Sequence, residues 1–253
     1  MHVNGMTIRR FASPATAARA LARHVARCLA INPKMVLGLP TGRTPVPFYA
    51  ELVALFEAGR VDFGRATTFN LDEFAGLPPE DPGSYRTFMQ RHLFSHVNVA
   101  AGRINFLNGA ARDMAAECRR YEQRISRAGG LDLLLLGLGA NGHIGFNEPG
   151  QSLVASTHKT RLTLATRQAN AALFRHKVAD VPREALSMGM GTILKATTVI
   201  LIATGERKAQ CIEQTVHGSV TPRLPASFLQ LHRDVELYLD RSAASRLSPR
   251  HGR

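Results

Sequence analysis

Residues 131–150 read LDLLLLGLGANGHIGFNEPG, and the passage from the leucine run into the glycine-rich half decides the fold. Leu133–Leu136 is continuous rather than alternating and is stopped by Gly137. Such a run is too short for a buried helix and typical of a strand covered on both faces. Four further runs share this character: MVLGL (35–39), ATTFN (66–70), TVILIAT (198–204) and VELYLD (235–240). Helical patterns lie among them, in VPFYAELVALFEAG (46–59), SYRTFMQRHLFSHV (84–97), DMAAECRRYEQRISRAGG (113–130) and GERKAQCIEQTVHG (205–218). Upstream, Ser13 and Pro14 form a cap and first-turn pair that opens an amphipathic helix with Leu21, Val25, Cys28 and Leu29 on one face. Strands alternating with helices make βαβ units. The chain is therefore expected to be α/β, a single Rossmann-like domain over 1–253 with a largely parallel sheet and helices on both faces. Residues 151–181 lack a clear strand and are expected to form a helical lid.

Composition narrows the function. The chain has 253 residues, enough for one large core. Cys28, Cys118 and Cys211 are far apart and outside any C-x-x-C spacing. They point to small core residues of a reducing cytoplasm, not to a disulfide framework or a zinc site. No apolar window of about 18 residues exists, so no membrane span is expected. The first acidic residue is Glu51, which makes residues 1–50 resemble a transit peptide, but the helix cap at 13–14 and the strand after it place this segment in the fold. The net charge of +13 favours anionic partners. The basic residues are nevertheless scattered, without a recognition helix, zinc finger or aromatic ladder. This suits an enzyme of anionic metabolites better than a nucleic-acid binder.

Unusual residues cluster just beyond strand ends. PTGRTP follows the first of the five runs, LDEF the second, GANGHIGFNEP the third and GERK the fourth. In an open parallel sheet the carboxyl ends share one edge, where ligands bind, so these segments can meet in one pocket. Thr41, Gly42, Arg43 and Thr44 combine hydroxyls, free N–H groups and a helix start into an anion seat. No Walker A pattern is present, which argues against a nucleoside triphosphate. Asp72 and Glu73 are carboxylates directly after a buried strand; one is a general base or both are ordinary caps. His143 and Glu148 make a proton-transfer pair but lack metal-ligand spacing. Gly137–Gly142 also fits the G-x-G-x-x-G dinucleotide pattern, yet Asn147-Glu148-Pro149-Gly150 breaks the helix that pattern needs. Lys208 opens the helix after the fourth run and can pair with phosphate.

Taken in order, LGLPTGRTP, FNLDEFAGLPPEDPGSYRTFM, GLGANGHIGFNEPG, MGMGTILKA, TGERKA and PASFLQLH resemble the glucosamine-6-phosphate deaminase family over nearly the whole chain. The galactosamine-6-phosphate deaminase type resembles the second half as well, and the 6-phosphogluconolactonases share the fold with less likeness in the GHIGFNEP loop. The resemblance implies conversion of an amino-sugar phosphate and water into a ketose phosphate and ammonia, without a cofactor. It implies that Asp72 is the enolising base and that His143 opens the sugar ring with Asn141 and Glu148 as partners. It also implies that Thr41, Gly42, Arg43, Thr44, Gly139 and Lys208 hold the substrate, a small molecule, with no nucleic acid or membrane partner and with self-assembly left open. Three departures stand out. Asn141 takes the place of an aspartate found in some members. Ala172 falls where a phosphate-binding arginine is usual, leaving Arg161, Arg167 and Arg175 as replacements. His158 and Thr160 occupy positions that are basic in members activated by an N-acetylated sugar phosphate, so that control is expected to be lost. A sugar-phosphate sensor without catalysis is the rival reading, although it would ordinarily carry a DNA-binding helix-turn-helix, for which residues before the first helix leave no room.

Overall fold

The four leucines at 133–136 lie in a strand with an apolar core on each side. Leu133 and Leu135 join one buried cluster with Leu21, Val25, Phe48 and Leu52. Leu134 and Leu136 join another with Tyr121, Ile125, Ile212 and Val216. Alternate side chains point to opposite faces, so two covered faces require an unbroken apolar run. Each such side chain contributes about 1.5–3 kcal/mol on burial.

The computed structural model describes residues 1–247; positions 248–253 of the expected domain lie outside the described residues. The chain begins β1 (His2–Val3), β2 (Met6–Phe11), α1 (Pro14–Ile31), β3 (Val36–Leu39), α2 (Val46–Glu57) and β4 (Thr67–Asn70). It continues β5 (Asp72–Phe74), α3 (Tyr85–Met89), β6 (Ile104–Asn105), α4 (Met114–Arg127) and β7 (Leu133–Gly137). The remainder is β8 (His158–Arg161), α5 (Leu164–Asn170), β9 (Glu184–Ser187), α6 (Met190–Leu194), β10 (Thr198–Ala203), α7 (Ala209–His217) and β11 (Val235–Asp240). The main sheet has eight strands in the order β1-β2-β11-β10-β7-β3-β4-β6. Every pairing in it is parallel except β1 with β2. The α1 cap is as expected: Ser13 accepts from the Thr16 backbone N–H and Thr16 reciprocates. Among the described residues no helix is long and apolar enough to cross a membrane.

Three expectations need correction. A second, antiparallel sheet of three strands, β5-β9-β8, stands apart from the main one. Asp72 and Glu73 are therefore not helix caps; they lie in a strand of their own, Asp72–Phe74. The lid region 151–181 does contain a strand, the polar His158–Arg161, which pairs with β9, and its helical part is short, α5 followed by a 3-10 turn at Ala171–Phe174. This region has its own small core, in which Phe174, Leu162 and Val181 pack with Phe74, Tyr85 and Phe146. Cys118 and Cys211 are buried as expected, whereas Cys28 is half-buried.

Candidate active site

The strand order explains why four separated segments meet. β10, β7, β3 and β4 are neighbours and parallel, so Lys208, the 139–148 loop, the 41–44 turn and Asp72 emerge side by side at one edge. From β3 the chain steps outward to β4 and then β6, and returns to the other side of β3 as β7. The reversal point between β3 and β7 opens the crevice in which ligands of such sheets bind. The 41–44 turn and the 139–148 loop flank it. No helix lies between Leu138 and Thr157, which removes the dinucleotide reading of the glycines.

Asp72 and Glu73 are consecutive in β5 and therefore face opposite ways. Both are buried, at 7% and 3% exposure, but their surroundings differ. Glu73 accepts hydrogen bonds from the backbone N–H groups of Phe74 at 2.8 Å and of Tyr85 and Arg86 at 2.9 Å each. It is a structural clamp that fastens β5 to the start of α3. Asp72, by contrast, has a buried Oδ1 with no partner. Burial, with the neighbouring Glu73 charge, pushes the Asp72 carboxyl up to about 8. A buried carboxylate with an open acceptor at a crevice is a strong base by default. Burial also raises Glu73, to about 7, against the pull of its three N–H partners.

The 139–148 loop carries a relay. Glu148 Oε2 accepts from Asn141 Nδ2 at 2.8 Å, and Asn141 Oδ1 lies 2.7 Å from His143 Nδ1. Burial would raise Glu148, but the His143 ring 3.6 Å away and hydrogen bonds from Thr166 and Asn141 outweigh it and hold the carboxyl at about 2. Glu148 is thus ionised and can only accept, so the Asn141 NH2 must face it. The Asn141 carbonyl then faces the imidazole, which must carry its proton on Nδ1. In the neutral ring this leaves Nε2 with the free lone pair, the atom available to act as a general base. Gly139 makes room for this ring: a Cβ there would fall 2.3 Å from His143 Cε1 and Nδ1.

The cations of this edge are Arg43 on the 41–44 turn and Lys208 beyond β10. Burial lowers the Lys208 ammonium, and the nearby Arg43 charge lowers it further. Lys208 Nζ donates to the Leu138 carbonyl at 2.6 Å, and no carboxylate pairs with Arg43 or Lys208 among the described residues. Gly42, at φ +99°, turns the chain there, and α2 starts at Val46 without a side-chain cap. Free N–H groups beside two unmatched cations are chemically suited to hold an anion. Of the replacement arginines, Arg167 is committed elsewhere, donating to the carbonyls of Val181 at 3.1 Å and Val178 at 2.7 Å. Ala172 is exposed. Sequence reasoning missed Thr163 and Thr166, whose hydroxyls reach Glu148 from the start of α5. Thr163 could be read as a helix cap, but nothing local signals the carboxylate it meets. It also missed Tyr85, whose hydroxyl donates to Asn170 Oδ1 at 3.0 Å and ties the lid to α3.

This arrangement has known counterparts. Residues 11–238 match the family described as glucosamine-6-phosphate isomerases/6-phosphogluconolactonase. The glucosamine-6-phosphate deaminase of Halothermothrix orenii is 49% identical over 223 residues, 88% of this chain and 92% of that one. The deaminase of Alkaliphilus oremlandii is 51% identical with the same coverage. A solved monomeric glucosamine-6-phosphate deaminase matches with a TM-score of 0.92 at 41% identity, over 95% of this chain and 100% of that one. A 6-phosphogluconolactonase from Thermotoga maritima, at 18% identity and a TM-score of 0.73 over 93% of this chain and 99% of that one, shares the fold. With the family match spanning most of the chain and relatives near half identical, the chain belongs to the glucosamine-6-phosphate isomerase/6-phosphogluconolactonase family.

Proposed function

We propose that this chain is a glucosamine-6-phosphate deaminase, converting glucosamine 6-phosphate and water into fructose 6-phosphate and ammonia. The observation that carries the reading is the unpartnered buried oxygen of Asp72 at the same sheet edge as the His143–Asn141–Glu148 relay. In this reading the sugar phosphate sits on Arg43, Lys208 and the 41–44 turn. His143 Nε2 takes the C1 hydroxyl proton of the pyranose and returns it to the ring oxygen, giving the open aldehyde. Asp72 then removes the C2 proton while the substrate's ammonium group passes a proton to the C1 oxygen, forming an enolamine, and Asp72 delivers its proton to C1. The resulting C2 imine adds water and expels ammonia. Proton transfer needs groups of tuned pKa in a dry cleft, and the burial of Asp72 supplies one.

An ammonia-release assay across 2-amino-2-deoxyhexose 6-phosphates tests the proposal. Release from glucosamine 6-phosphate with fructose 6-phosphate in equal amount is the expected result. Silence across the panel with the sugar phosphate still bound would instead leave a sensor. Two variants probe the site further. Lys208→Ala is expected to raise KM by roughly ten- to a hundredfold, since a hydrogen bond to a charged group contributes about 1.5–3 kcal/mol; an unchanged KM would place the phosphate elsewhere. Gly139→Ala is expected to push the imidazole off its relay, because the added Cβ lies at 2.3 Å. A misplacement of about 1 Å can cost on the order of 10²-fold in rate. Native kcat in Gly139→Ala, with thermal unfolding also unchanged, would show that the ring position does not matter.

A further inference from the structure

Resting on the role just assigned to His143, we infer that Thr166, on the lid, is a positioning residue: through Glu148 and Asn141 its hydroxyl selects the tautomer in which His143 is protonated on Nδ1 and offers Nε2 to the substrate. Thr166 is only 3% exposed, and its Oγ1 donates to Glu148 Oε1. Thr163 Oγ1 stands 3.2 Å from the same carboxylate oxygen and 3.1 Å from Thr166 Oγ1. Having a single proton, Thr163 can serve one of these acceptors at a time, so Thr166 is the dedicated donor. The lid holds Thr166 in place independently of Glu148. Arg167 binds the carbonyls of Val178 and Val181, Thr163 caps α5 by accepting from the Thr166 N–H at 3.2 Å, and Asn170 is fastened by Tyr85.

With Oε1 fixed by the lid, Oε2 is aimed at the Asn141 amide. Remove the Thr166 hydroxyl, and only the longer Thr163 contact at 3.2 Å still restrains Oε1, so the carboxylate can swing off the Asn141 amide. The Asn141 amide then loses one of the two contacts that orient it, keeping only the His143 backbone N–H on its Oδ1 at 3.2 Å, and a share of the molecules can rotate it by half a turn. In that orientation its NH2 faces the ring, Nδ1 must accept, and the proton moves to Nε2, where it blocks the base. An amide has a wrong face; a carboxylate has none. The dependence on Thr166 is therefore a consequence of Asn141, and an aspartate at 141 would accept from Nδ1 in either orientation.

Long-range nitrogen–proton correlation spectra of histidine-labelled protein read the tautomer directly, with His143 assigned by its loss in His143→Gln. The wild type is expected to show the Nδ1–H form, Thr166→Val a growing share of Nε2–H, and Thr166→Ser the wild-type pattern. In Asn141→Asp/Thr166→Val the Nδ1–H form should return. Along with the tautomer, kcat of Thr166→Val should fall by roughly ten- to a hundredfold with little change in KM, and Thr166→Ser should restore it. An unchanged tautomer in Thr166→Val overturns the inference, as does a loss of kcat that serine fails to rescue. The spectra need no substrate, so they decide the tautomer even if the wild type releases no ammonia, the result that would defeat the deaminase reading instead.

Discussion

Replacing Asp72 by asparagine is expected to stop turnover while leaving the fold intact. An amide of the same shape fills the pocket but cannot accept the C2 proton, so wash-in of solvent deuterium at C1 should cease along with ammonia release. General acid–base terms of this kind contribute roughly 10²–10⁴-fold. The burial that qualifies Asp72 as a base also makes its charge costly. Its folded pKa is raised, to about 8, above the unfolded value of about 3.9. Stability is thus fully present below the unfolded pKa and is lost as pH rises through the folded one. Asp72→Asn removes that loss, and its melting temperature should exceed the wild type's at alkaline pH while matching it in acid. The acid limb of wild-type kcat/KM should likewise lie well above the ordinary aspartate range. Exchange at the native rate in Asp72→Asn would remove Asp72 from the mechanism. Glu73 could hardly take over, because three backbone N–H groups already occupy its oxygens.

How far this site was legible follows from which partners are local. The apolar runs that form β3, β4, β7, β10 and β11 announce themselves because both faces of the sheet are covered, and their shared edge then follows from parallel pairing. β2 does not announce itself. Its Arg9 and Arg10 read as loop residues, yet Arg9 is neutralised across the strand by Glu236 of β11 at 2.5 Å. The polar β8 is hidden for a similar reason: it is paired on one side only, and Lys159 meets Glu184 of its neighbour β9. Adjacent carboxylates in LDEF are indistinguishable in sequence. They separate only when β5 carries Glu73 to the N–H groups at the start of α3 and leaves Asp72 Oδ1 buried without a partner. His143 and Glu148 lie within six positions of one loop and can be paired from the sequence, whereas Asn141, which links them, enters only through the family resemblance. The anchor of Glu148 at Thr166 comes from a different element and could be read from neither.

His143→Gln is expected to leave a different signature from Asp72→Asn, and the contrast separates ring opening from enolisation. Glutamine cannot carry a proton from the C1 hydroxyl to the ring oxygen, so the pyranose must open unaided in solution. Asp72 is untouched, since it stands on β5 and not on the 139–148 loop, and it should still enolise whatever open-chain sugar arrives. Turnover should fall by roughly 10²–10⁴-fold, with deuterium incorporated once per product as in the wild type. A second consequence is kinetic. Once spontaneous opening limits the flux, adding more His143→Gln enzyme should cease to speed the reaction, whereas the wild-type rate stays proportional to enzyme. A rate that remains proportional and near native would mean that the imidazole does not open the ring. Loss of deuterium along with turnover would mean that His143 and Asp72 act in the same step, and the division of labour argued from their separate elements would be wrong.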